Sequence, residues 1–150
     1  AYGPLQIMKR VARTMGLTVN RYVDERKDFN KSAFAASELL KKICIPQAYK
    51  ILCKVGDIEP IGDELWFKLL VLHIYHAGAR NIESLLNQLE QPLQGMELIK
   101  WMWSNEYGNF KNSSQNYSQI AIAAMLTLKD IVLSDCEYIF NCNRTNPIEN

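Results

Sequence analysis

Along most of the chain apolar residues recur three and four positions apart, and short loops rich in Gly, Pro, Asn and Asp break the pattern, which predicts a series of helices. Leu5–Met15 sets Met8, Val11, Ala12 and Met15 at helical spacing, and Gly16 supplies a stop at little steric cost. Between Thr18 and Asn30 charge dominates, and Asp24-Glu25-Arg26-Lys27-Asp28 reads as an ordered surface loop with local ion pairs. Asn30 or Ser32 is expected to cap the next helix, whose stripe is Ala36, Leu39, Leu40 and Ile43. Pro46 is expected to end it and begin another, carrying Ala48, Ile51, Leu52 and Val55, with a turn-rich loop after Gly56.

From Glu64 to His76 the chain is apolar nearly all round, the pattern of a helix at the centre of a domain. Gly78 ends it, and Asn81 is expected to cap a helix burying Ile82, Leu85, Leu86 and Leu89. A short helix over Met96–Trp103, a polar loop around Gly108–Asn116 and a last helix from Tyr117 complete the pattern. No segment alternates as a strand would. The prediction is one all-α domain over residues 1–135, with 136–150 set apart as a C-terminal tail where the periodicity fades.

The 150 residues suit one domain with a real core. With 17 basic and 16 acidic residues the net charge is +1, so the overall balance argues for neither nucleic acid nor an anionic membrane as partner. No apolar run approaches the ~20 residues of a membrane span. The chain begins without Met and without a basic-plus-apolar leader, so it is expected to start inside a longer protein, any export signal lying upstream. Cys44, Cys53, Cys136 and Cys142 allow three disulfide pairings, but no Cys-x-x-Cys pair or His partner stands at zinc spacing. Neither a metal nor a cofactor is expected.

Two constellations carry some chemistry. His73 and His76 lie three apart on a helix, without a third ligand nearby in sequence. Trp101 and Trp103 suit the apolar face of a sugar, though tryptophans of a helical protein are more often core.

Three segments in a fixed order are more specific. The first is Gly3-Pro4-Leu5-Gln6-Ile7-Met8. The second is Val11-Ala12-Arg13-Thr14-Met15-Gly16-Leu17, followed by Asp24-Glu25-Arg26-Lys27-Asp28 and Lys31-Ser32-Ala33-Phe34-Ala35-Ala36. The third is Leu72-His73-Ile74-Tyr75-His76-Ala77-Gly78-Ala79-Arg80-Asn81-Ile82. Together they resemble the soluble lytic transglycosylase family, the catalytic module of bacterial enzymes that cut peptidoglycan. The third segment stands against the family's Leu-Ala-Ala-Tyr-Asn-Ala-Gly-Pro-Gly-Asn-Val. The resemblance covers about the first eighty-five residues and, more loosely, Gly108–Tyr117. Pro4 and His76 depart from the pattern, Ile45–Asp63 looks like an insertion, and the stretch from Cys136 has no counterpart.

The resemblance implies a lysozyme-like (goose-type) helical domain, truncated at its N-terminus. It implies cleavage of the bond between N-acetylmuramic acid and N-acetylglucosamine without added water, to give anhydro-muropeptides. One glutamate serves as acid and then base, unlike the carboxylate pair of most glycosidases, and its pKa must be raised by an apolar, partly closed cleft. In the family that glutamate precedes the Gln6 segment, so no catalytic residue is expected in this chain and the acid is expected upstream of Ala1. Glu25 falls in a segment where a salt-bridged role is expected, and Glu64 and Glu106 lack motif support.

Resemblance carries over the wall of the cleft: Gln6 towards the sugar acetamido group, Met8 lining that pocket, Tyr75 facing the acid, and His76 in place of an asparagine. Peptidoglycan strands are the expected partner and the bacterial cell envelope, periplasmic or outer-membrane associated, the expected location. Two alternatives stand beside this: a non-catalytic glycan-binding or scaffolding module, and a helical protein-interaction domain.

Overall fold

The computed structural model describes residues 1–56, 58 and 64–129. Among these the protein is all-α, with three isolated β-bridges and no strand. Leu133, Cys136, Cys142, the tail and most of the loop after Gly56 lie outside the described residues.

Helix α1 is Lys9–Thr14, four residues later than Leu5, where the apolar pattern puts its start. The residues before it form a tight turn, with Tyr2 bridged to Ile7 and the Gln6 N–H donating to the Gly3 carbonyl at 3.1 Å. Gly3 and Gln6 both hold positive φ, +80° and +50°, so a helix cannot begin before them. A second hydrogen-bonded turn, bridged between Val19 and Asp24, leads into a 3-10 turn at Glu25–Lys27. The expected local pairing of charges holds there: Arg26 binds Asp24, and Lys31 binds Glu25, each at 2.6 Å.

Helix α2 is Phe29–Leu39, and its cap is Asp28, which accepts from the Lys31 N–H, rather than Asn30 or Ser32. Pro46 does not break the chain as expected. A π-helical turn over Leu40–Cys44 runs straight into α3, Ile45–Gly56. Proline removes one backbone donor and crowds the carbonyl four residues back, and a wider π turn just before it accommodates both. The α3 part of the segment that looked like an insertion buries Ala48, Ile51 and Leu52.

Helix α4, Leu65–Ala77, is the expected central helix and buries seven residues, from Trp66 to Ile74. Gly78 ends it at φ +87°. Asn81 caps differently from expectation: its amide donates to the Ala77 carbonyl at 2.7 Å, closing the end of α4, and Gly78 stands at the cap of α5, Ala79–Leu86. Helix α6 is Gly95–Ser104, and residues 117–129 form α7. Lys54 and Glu83 tie α3 to α5.

Two apolar clusters result. The larger joins α3, α4, α5 and α6 with Phe110, a fully buried residue of the loop that the polar pattern around it hid. The smaller joins Ile7, Ala12, Leu17 and Val19 to Ala35 and Ala36. Tyr75 packs against both, so the seam between the clusters passes at its ring.

Candidate functional site

At that seam opens a cleft of about 520 Å³, within the range of small-molecule sites. The first turn forms one side with Leu5, Gln6 and Met8, α2 and the π turn contribute Leu39 and Leu40, α4 presents Tyr75 and His76, and Tyr117 stands at the start of α7. All four residues singled out from the sequence therefore meet here.

Tyr75, Gln6 and His76 are each positioned by a definite interaction. Tyr75 is half-buried and its hydroxyl donates to the Leu5 carbonyl at 2.6 Å. Burial, with Tyr117 and Cys44 nearby, pushes its pKa up to about 12, so it stays a neutral donor. The Gln6 amide nitrogen donates to the Gly3 carbonyl at 2.7 Å, which leaves its carbonyl oxygen to accept from a ligand. Met8 is 58% exposed, so its place in the apolar pattern of α1 does not make it core. The His76 ring stacks on Tyr117 at 4.1 Å and 11°, and partial burial lowers its pKa below 6.5.

His73, one turn from His76, has a different fate. It is fully buried, its Nε2 lies 2.8 Å from Ser118 Oγ, and the Trp103 indole donates to the same oxygen at 2.7 Å. Its Nδ1 closes no hydrogen bond, and burial pushes its pKa down to about 4. This network pins α7 to α4 and α6, and nothing in the apolar periodicity announced it. Trp101 and Trp103 pack half-buried against the core, away from the cleft lining. Tyr117, although inside a motif, was not picked as a site residue; its only signal was its place between a polar loop and the last helix.

The cleft is lined by no Asp, Glu, Lys or Arg side chain among the described residues. Glu25 is engaged elsewhere, accepting from the Thr18 N–H and from Lys31, and these hold its carboxyl below the usual range. Glu64 accepts from the Trp66 indole, and Glu106 lies on a separate concavity with Trp101. Among the described residues no three His, Cys, Asp or Glu gather as metal ligands, and no helix is long and apolar enough to cross a membrane. Apolar walls with a few neutral donors and acceptors equip the cleft to hold an uncharged, amphipathic ligand.

No protein-family model, curated protein or solved structure matches this chain.

Proposed function

We propose that the chain is the glycan-binding part of a lytic-transglycosylase-like protein, that its helices form the lysozyme-like arrangement, and that its cleft holds peptidoglycan strands in the bacterial cell envelope. One observation carries this reading: Gln6 and Met8 from the first motif and Tyr75 and His76 from the third converge on a single cleft. Sugar rings and acetamido methyl groups are apolar on their faces, and their amides and hydroxyls need neutral hydrogen-bonding partners. The lining supplies both.

In the reaction so proposed, a glutamate protonates the bridging oxygen, and the C6 hydroxyl of the muramoyl residue then closes on C1. The described lining offers no carboxylate for the first step, so in this reading the acid comes from outside these residues, and the described residues bind glycan without cutting it. The test is mass spectrometry of sacculi digested with the protein extended upstream of Ala1. Anhydro-muropeptides are the expected product, and reducing ends or no release would refute the reading.

The absence of a carboxylate from the described lining also favours a second reading, a glycan-binding or scaffolding module that never cuts. The two part at the upstream reading frame, where the first requires a glutamate-bearing segment and the second does not.

A further inference from the structure

A second concavity, about 540 Å³ in volume, shares Ala1 with the cleft and is lined by Tyr2, Asn20, Arg21, Tyr22, Arg26 and Lys27. Its charges do not balance. Among the described residues Asp24 is the one carboxylate of its wall, and Arg26 engages both of that carboxylate's oxygens, through Nε at 2.8 Å and Nη2 at 2.6 Å. Arg26 also donates from Nη1 to the Ile7 carbonyl at 3.2 Å and is only 9% exposed. It is therefore a structural cation, already satisfied.

Arg21 and Lys27 have no ion-pair partner among the described residues. Each rests on an aromatic face instead, Arg21 5.3 Å from the centre of the Tyr22 ring and Lys27 5.9 Å from that of Tyr2. Their support is ordered: Asn20 Oδ1 accepts from the N–H groups of Tyr22 and Val23 at 2.8 and 2.9 Å, and the Asn20 N–H donates to the Val23 carbonyl at 2.8 Å. Tyr22, at the tip of this turn, is 84% exposed, its ring bearing the Arg21 guanidinium. Two unpaired cations and two aromatic rings around a concavity form a surface complementary to a carboxylate-bearing peptide.

We infer that this concavity is an anion subsite that binds the carboxylates of a peptide carried on the glycan strand lying in the adjoining cleft, an inference that rests on the glycan reading above. The cleft takes the neutral sugar, and Arg21 and Lys27 take the charge attached to it. Arg21 supplies a planar fork matched to a carboxylate, Lys27 a point charge.

The experiment is a nuclear magnetic resonance titration of the chain with three probes: a neutral N-acetylglucosamine oligomer, a free carboxylate-bearing stem peptide, and that peptide with its carboxylates amidated. The free peptide should shift Arg21, Tyr22 and Lys27 and leave Tyr75 unmoved, while the oligomer does the reverse. Arg21→Gln with Lys27→Gln should weaken the free peptide about tenfold and leave the oligomer unaffected, and salt at about 0.5 M should act in the same direction. Both positions are exposed, so the fold tolerates the change, and the retained oligomer response verifies it. Equal binding of the amidated peptide, or an unchanged affinity in the double variant, would overturn the inference. Loss of the oligomer response alone, with the peptide response intact, would remove the glycan reading and leave the anion subsite standing.

Discussion

The Tyr75 hydroxyl and the Leu5 carbonyl, seventy residues apart in sequence, meet at 2.6 Å. This bond fastens the first turn, with Gln6 and Met8, to the central helix and so sets the width of the cleft. Tyr75→Phe keeps the ring and its packing but leaves the carbonyl without its donor. Stability should fall by about 1 kcal/mol in urea denaturation, and on the proposed glycan reading binding of a neutral N-acetylglucosamine oligomer should weaken severalfold. An unchanged affinity would show that the turn holds its place without the bond.

Gly3 and Gln6 both adopt positive φ, but their substitutions should diverge. A Cβ at Gly3 would lie 2.0 Å from the Arg26 carbonyl oxygen and 2.8 Å from its carbon, and backbone of a 3-10 turn cannot retreat cheaply. Gly3→Ala should destabilise by about 3 kcal/mol or more. Gln6→Gly relieves a left-handed strain of roughly 1 kcal/mol while losing one exposed hydrogen bond, so its melting temperature should hold or rise while, on the proposed glycan reading, oligomer binding drops. Comparable destabilisation by both substitutions would contradict this account of the turn.

His73 makes stability depend on pH. Burial is the main cause of its lowered pKa, about 4 against 6.5 when free, with His76 adding to it and the Ser114 main chain opposing it. The unfolded chain therefore takes up the proton first, so the contribution of the neutral ring is complete above pH 6.5 and is lost as the pH falls towards 4. The slope is about 1.4 kcal/mol per unit, for a total of roughly 3 kcal/mol. His73→Gln cannot titrate yet retains a polar group for Ser118. Denaturation curves at pH 7 and pH 4.5 should show a smaller loss for the variant, and equal losses would rule out His73 as the source.

The thiols should separate by reactivity. Cys44 is buried and its pKa is pushed up to about 11, whereas Cys53 is exposed. Alkylation at pH 8, followed by peptide mapping, should modify Cys53 on the order of 100-fold faster than Cys44, with denaturant erasing the difference. Equal rates in the folded protein would mean that the π turn carrying Cys44 opens readily.

Much of this fold was legible because helical periodicity is a local property. The buried faces of α3 and α5 follow from spacing alone, down to Ile51 and Leu52 in one and Ile82, Leu85 and Leu86 in the other. What spacing could not reveal were places where backbone geometry overrides it: the positive φ at Gly3 and Gln6 that delays α1, and the π turn that carries the chain past Pro46. Asn81 illustrates a related ambiguity, since an amide beside a helix boundary can satisfy the helix before it as readily as the one after.

By itself the sequence determined that the chain is helical, which faces α3 and α5 bury, and that Gln6, Met8, Tyr75 and His76 lie in segments of a fixed order. Only the tertiary structure decided that those four share one cleft, that His73 is sealed against Ser118 while His76, one turn on, stacks in the open on Tyr117, and that Arg26 is spent on Asp24 while Arg21 and Lys27 are not. The physical reason is the range of the forces concerned. Periodicity and capping act within a few residues, whereas burial, hydrogen-bond satisfaction and charge pairing depend on which distant groups the packed chain sets side by side.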